Sequence, residues 1–195
     1  DNNGRPRTGS RTYVTDQSSP FEQRWGGWYV SGKHGQMRHL GNVRSSDRLD
    51  PELMDTEAGA NLDSLDTLFN TEPYLTPHSD LVALMVLEHQ TQMHNFIARA
   101  NFETRIATYY DQGINKALGR PQTTVSESTT RRIAAADEAL VRYMLFADEQ
   151  EITCAVSGTS KYTEQFVTSG IRDRQGRSLR DLDLQRRLLK FPCSY

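Results

Sequence analysis

The sequence has 195 residues, a formal net charge of −2 and 36% hydrophobic residues. This length suits a single domain, and the near-neutral charge disfavours a nucleic-acid-binding protein, which is typically basic. The sequence has no apolar run near the ~18 residues that a membrane-spanning helix requires, and no Walker or dinucleotide-binding glycine motif.

The first part of the chain favours irregular structure over helix. Residues 1–46 are rich in Gly, Ser and Arg, with aromatic residues clustered at Trp25–Tyr29. This composition predicts short strands and turns, including a strand at Arg11–Thr15. Residues 47–75 form an acidic connection in which we expect one helical turn between Leu62 and Phe69.

The strongest predicted helix follows this connection. Thr76 as N-cap and Pro77 at the first helical position predict a helix start, and the apolar pattern continues to about Leu118. Gly113 could interrupt this helix, and Gly119 is expected to end it. Because residues 81–87 are apolar on every side, the helix is expected to be central.

Three further helices are predicted, over about 128–149, 161–171 and 178–189. Ser178 and Asp181 resemble a capping box at the start of the last one. We therefore expect a mainly α fold, with about four helices around one long central helix and an irregular, Gly-rich N-terminal section. The whole chain, with 76–195 as its helical part, is expected to be one domain of a longer protein.

Charge and cysteines leave two alternatives open. The acidic segment 47–72 either pairs with the basic segment 172–190 or lies in solvent. Cys154 and Cys193, the 2 cysteines, either form a disulfide in an oxidising compartment or remain buried thiols.

The small-residue loop 157–160 lacks the G-x-S-x-G context of a serine nucleophile.

All 5 histidines lie in the first half of the chain, at His34, His39, His78, His89 and His94. Histidine is the commonest protein ligand of transition metals. On a regular helix the rings of His78 and His89 would lie within about 20° of one another, in one stripe with Met85 and Met93, whereas His94 would point about 140° away from His89. This spacing is not the H-E-x-x-H zinc motif. His78, His89 and His94 are therefore candidate metal ligands at more than one site, or buried histidines that are hydrogen-bonded in the core.

A second set of candidate residues lies near the N-terminus. Trp25 and Trp28 offer flat apolar surface for a macrocycle or for a packed core. His34, Met37 and His39 can each act as an axial ligand of haem iron.

Three blocks of sequence then appear together. They are R-W-G-G-W-Y at 24–29 within 19–42, T-P-H-S-D at 76–80 continuing to E-H-Q-T-Q-M-H-N at 88–95, and G-R-S-L-R-D at 176–181 continuing to F-P-C-S-Y at 191–195. In their order and in their residues, these blocks resemble a group of secreted bacterial proteins of c-type-cytochrome-like character. The resemblance implies a periplasmic or extracellular protein, a haem c attached through an upstream C-x-x-C-H motif, and a role in electron transfer with a redox partner protein.

The present sequence departs from that pattern because residues 1–195 contain no C-x-x-C-H motif. If haem is attached elsewhere in a longer chain, the resemblance implies a distal ligand among His34, Met37, His39, His78 and His89. Arg24, Arg38 and Arg99 are then candidates for the haem propionates. We expect His89→Ala to lower haem or metal occupancy more than His94→Ala.

Two other functions remain open. A peroxidase-like haem enzyme would need an acid or base such as Glu88 beside a vacant face of the iron. A structural or interaction subunit of a larger extracellular or membrane-associated assembly would need no cofactor of its own. Whether the chain is an enzyme is left open by the sequence.

Overall fold

A computed structural model describes residues 15–43 and 54–187 of the chain. The predicted strand at Arg11–Thr15, most of which precedes residue 15, and the F-P-C-S-Y block lie outside this part. The described residues contain four α-helices: α1 (Leu81–Ala117), α2 (Glu127–Met144), α3 (Tyr162–Thr168) and α4 (Leu179–Arg187). Short 3₁₀ turns occur at Phe21–Gln23 and Leu65–Thr67, and the described residues pair only in isolated β-bridges. The mainly helical fold, with one long helix and an irregular N-terminal section, is confirmed.

The described residues form two compact units. Unit 1 contains those up to Leu87 and those from Gln150 onward, and unit 2 contains Glu88–Glu149. The long helix α1 has 37 residues, or about 55 Å, and it begins in unit 1 and continues into unit 2.

The start of α1 differs from the prediction. The helix begins at Leu81 rather than near Thr76, because the side chain of Asp80 accepts hydrogen bonds from the N–H groups of Val82 (2.9 Å) and Ala83 (3.1 Å). Asp80 is thus the N-cap. His78 lies before the helix, so the predicted helical stripe does not include it.

The end of α1 follows the prediction. Gly119 has a φ of +63°, and the N–H of Arg120 donates to the carbonyl of Asn115 at 2.8 Å. This is the Schellman arrangement in which glycine follows the last turn. A Cβ added at Gly113 would meet no neighbouring atom within 4 Å, and the helix passes through this glycine without a break.

In unit 2, α2 packs against α1. Ser126 caps α2 by accepting the N–H of Thr129 at 3.2 Å, and the N–H of Ser126 itself donates to Asp111 on α1 at 2.7 Å. A salt bridge joins Arg132 of α2 to Glu103 of α1. Helix α2 ends at Met144, earlier than predicted, because Phe146 takes a positive φ of 57° and closes the last turn.

Unit 1 holds the main apolar core. Its buried residues come from the N-terminal section, the first turn of α1, the segment after unit 2 and α4. They are Phe21, Trp25, Val30, Leu81, Val82, Ile152, Val156 and Leu184. Ser178 accepts the N–H of Asp181 at 3.3 Å at the start of α4, as the capping pattern predicts.

Candidate functional site

His34 is buried and hydrogen-bonded through both ring nitrogens. The backbone N–H of Asn61 donates to Nε2 at 3.1 Å, so Nε2 carries no proton. Nδ1 therefore carries the proton and donates it to the carbonyl of Met37 at 2.7 Å. The amide side chain of Asn61 also accepts the N–H of His34 and donates to the carbonyl of Gly35. An iron ligand at Nε2 would have to displace the N–H of Asn61.

His39 lies directly beside His34, with ring centroids 4.7 Å apart. Its Nδ1 accepts the N–H of Gly41 at 3.0 Å. The ring also meets the edge of Trp25, with centroids 5.3 Å apart. A Cβ at Gly41 would lie 2.5 Å from a methyl group of Val30, so this close approach requires glycine.

Both histidines are electrically neutral near neutral pH. Burial lowers the pKa of His39 to about 4, and the neighbouring His34 ring adds to this effect. Burial is also the main cause of the lowered pKa of His34, which the hydrogen bond to the Met37 carbonyl partly opposes. Two adjacent rings with low pKa values form a neutral cluster.

The other predicted residues of the N-terminal set divide into two groups. Arg24 is 2% exposed, and its guanidinium donates to the carbonyls of Ser19 (2.9 Å) and Gln17 (3.1 Å). Trp25 is buried and Met37 packs against the core, whereas Trp28 is 61% exposed. The structure therefore brings Trp25 and Met37 to the histidine pair. It places Arg24 near the rings of Phe21 and Trp25 and leaves Trp28 on the surface.

His78 is a histidine with an unpartnered nitrogen. Its Nδ1 is buried and has no hydrogen-bond partner, while its backbone N–H donates to Oγ1 of Thr76 at 3.3 Å. The carboxyl group of Asp66 lies near the His78 ring, which affects its pKa. The pKa of Asp66 is lowered first by hydrogen bonds from Thr71 and Ser64, and then by the nearby His78 ring.

His89 and His94 lie in unit 2 in different environments. The ring of His89 stacks on Phe146, with centroids 3.8 Å apart, and on Tyr143, with centroids 4.9 Å apart. His94 is exposed. Among the described residues, no group of three or more His, Cys, Asp or Glu side chains is arranged to hold a metal ion.

Asp80, which the sequence indicated only as an acid near a helix start, takes part in five hydrogen bonds through its side chain. Besides capping α1 through Oδ1, Asp80 accepts three hydrogen bonds at Oδ2. They come from the N–H of Thr159 (3.0 Å) and from the N–H (2.9 Å) and Oγ (2.7 Å) of Ser160. A Cβ at Gly158 would lie 2.3 Å from Oδ2. The loop 157–160 therefore wraps an internal carboxylate, and the hydroxyl of Ser160 serves this contact.

Sequence reasoning missed this loop–carboxylate pair because Asp80 and Thr159 are 79 residues apart. The Gly between small polar residues was the available signal, since exposed N–H groups in such loops receive anions. Here the anion is a side chain of the same protein.

Cys154 is disulfide-bonded and buried. The sequence contains one other cysteine, Cys193, which lies outside the described residues. Within the described ranges, no helix combines the length and apolarity needed to cross a bilayer.

No protein-family model, curated protein or solved structure matches the chain.

Proposed function

We propose that this chain is a haem-associated electron-transfer module of an exported, c-type-cytochrome-like protein. The resemblance of its three sequence blocks supports the class of protein. The disulfide at Cys154 supports export, because disulfides persist mainly in oxidising compartments. A haem bound to this chain would supply a one-electron redox couple.

The observation that carries the proposal is the unpartnered nitrogen of His78. An imidazole nitrogen without a hydrogen bond keeps its capacity to bind a metal, and a buried polar atom left unpaired costs about 1–3 kcal/mol. His78 also belongs to the T-P-H-S-D block on which the resemblance rests, and the Asp66 carboxylate lies nearby. Carboxylates beside a histidine commonly orient it as a ligand.

The other histidines fit an iron ligand less well. His34 uses both nitrogens in hydrogen bonds to the backbone, and His39 uses Nδ1. His89 is packed against two aromatic rings. We therefore assign the ligand role to His78 and a structural role to the buried pair of His34 and His39.

The test is an absorption spectrum of the full-length protein, purified from a host that exports it and attaches haem, in oxidised and reduced forms. We expect a Soret band with c-type reduced bands. His78→Ala should shift the Soret band and the reduction potential, whereas the exposed His94→Ala should leave both unchanged. A featureless spectrum would contradict the haem proposal, and an unchanged His78→Ala spectrum would contradict the ligand assignment alone.

A second function is favoured by the buried His34–Asn61 network. If these residues serve only to fix the N-terminal section, the chain is a structural or interaction subunit of a larger exported assembly, without its own cofactor. A featureless spectrum together with normal folding would favour this function. If haem is present, turnover of hydrogen peroxide would distinguish a peroxidase-like enzyme from a simple electron-transfer module.

A further inference from the structure

An exposed row of aromatic rings lies on the surface of unit 1. The ring centroids of Tyr29 and Phe69 are 4.6 Å apart, and those of Phe69 and Tyr74 are 5.8 Å apart. Tyr29 is 46% exposed, Tyr74 is 65% exposed, and the neighbouring Leu75 is completely exposed. We call these four residues the aromatic ledge. Contiguous exposed apolar surface of this kind commonly marks an interaction site.

The backbone holds the ledge in place. The N–H of Phe69 donates to the carbonyl of Leu65 at 3.3 Å, and the N–H of Tyr74 donates to the carbonyl of Thr71 at 2.9 Å. Thr71 is buried, and its hydroxyl donates to Asp66. These contacts fix the loop before any partner arrives, which lowers the entropy cost of binding.

The ledge lies in a strongly acidic segment. Residues 54–75 contain several Asp and Glu residues and no Lys, Arg or His. Glu57 is paired with Arg38, and Asp63 is paired with Lys33, each at 2.7 Å. Within the described part of the chain, the carboxylates next to the ledge at Asp66 and Glu72 take part in no salt bridge. Among the described residues, no Lys or Arg therefore pairs with the negative charge beside the ledge.

From this combination we infer that the aromatic ledge is a docking surface for a basic segment of a partner protein, with an apolar side chain seated on Tyr74 and Leu75. Lys or Arg residues of the partner would face Asp66 and Glu72. A second copy of this chain would bring like charges together, and an anionic membrane surface would be repelled by them. The inference does not depend on haem, because Glu72, Tyr74 and Leu75, the residues that its test changes, have no part in the assignment of His78.

The test uses a fluorescent Lys-rich peptide of about 12 residues with a central Leu-Leu pair, followed by anisotropy at low ionic strength. The wild-type chain should bind it with a Kd of about 100 µM or tighter. Tyr74→Ala combined with Leu75→Ser should weaken binding about 10-fold or more. Glu72→Lys should weaken it about 5-fold and reduce its dependence on salt. The matched controls Tyr110→Ala and Glu138→Lys, which change exposed residues in unit 2, should bind like the wild type.

Because every substituted side chain is exposed, the variants should keep their fold, which circular dichroism will check. The inference is overturned if the wild-type chain fails to bind the peptide, if the ledge variants bind it as well as the controls do, or if a Glu-rich peptide binds equally well. Sedimentation gives a further criterion. If the wild-type chain self-associates and the ledge variants do not, while both bind the peptide equally, the surface binds a second copy of this chain instead.

Discussion

Lowering the pH should destabilise unit 1 through its buried histidine pair. The perturbation is a change from about pH 7 to about pH 4.5, over which His39 remains neutral in the folded protein but becomes protonated in the unfolded chain. Its pKa is about 4 when folded, against about 6.5 for an exposed histidine. Stability from this group is therefore complete above about pH 6.5 and is lost as the pH falls towards 4.

The size of the effect follows from this difference. At about 1.4 kcal/mol per pKa unit, His39 alone accounts for about 3 kcal/mol of unfolding free energy. Most of that loss falls above pH 4.5. The lowered pKa of His34 acts in the same direction. A loss of this size is a large fraction of the ~5–15 kcal/mol that stabilises a typical domain.

The assay is urea unfolding followed by tryptophan fluorescence at several pH values. Trp25 packs against His39, and both tryptophans lie in unit 1, so the signal reports this unit. The informative variant is His39→Asn, because its side-chain oxygen can still accept the N–H of residue 41 in an Asx turn. It will be less stable at pH 7, owing to the lost volume, but its stability should depend less on pH.

The control is His94→Ala, which alters an exposed ring in unit 2 and should leave the pH profile of unit 1 unchanged. If the wild type and His39→Asn lose the same free energy between pH 6.5 and 4.5, the assignment of acid sensitivity to the histidine pair is refuted.

Three further predictions concern the free energy of unfolding. Gly158→Ala should lower it by about 1–3 kcal/mol, because the added Cβ would press against the Asp80 carboxylate. Gly113→Ala has open space around it and should raise the free energy of unfolding by about 1 kcal/mol. Equal melting temperatures for the two variants would contradict this prediction. Asp80→Asn should lower the free energy of unfolding by about 2–4 kcal/mol, because an amide group would face the N–H donors of Thr159 and Ser160. Urea unfolding measures this loss, and a loss below about 0.5 kcal/mol would contradict the prediction. Reduction of the Cys154 disulfide should cost about 2–5 kcal/mol, and a melting temperature unaffected by dithiothreitol would exclude that contribution.

The helical pattern could be predicted from sequence where local rules decide it. The end of α1 depends on one glycine that adopts a positive φ, and the start of α4 depends on Ser178 accepting an N–H within its own first turn. Both are short-range effects, so the residues themselves contain the information.

The start of α1 could not be predicted in this way. Thr76 and Pro77 satisfy the local rules for a helix start, yet Asp80 caps the helix because the distant loop 157–160 fixes its other carboxylate oxygen. A long-range contact overrides local preference here.

The candidate site shows the same limit. Sequence spacing indicated that His34 and His39 belong to one set, and they do meet. The partners that occupy their nitrogens are backbone groups of Met37, Gly41 and Asn61. Any residue type can supply a backbone group, so the sequence contains no sign of it. The contact of Tyr29 with Phe69 was invisible for a related reason, since neither residue belongs to a periodic pattern.

The carboxylate of Asp80 has a consequence for how the protein is made. Its partners at Thr159 and Ser160 are synthesised about 4–16 s later, at the usual ~5–20 residues per second, since 79 residues separate Asp80 from Thr159. Unit 2, which is continuous in sequence from Glu88 to Glu149, is complete before then. For most of that interval Leu81 and Val82, which are 0% exposed in the finished protein, lack the later core residues Ile152, Val156 and Leu184. The nascent chain should therefore remain a substrate for chaperones that hold unfolded proteins until Ile152, Val156 and the loop 157–160 have emerged.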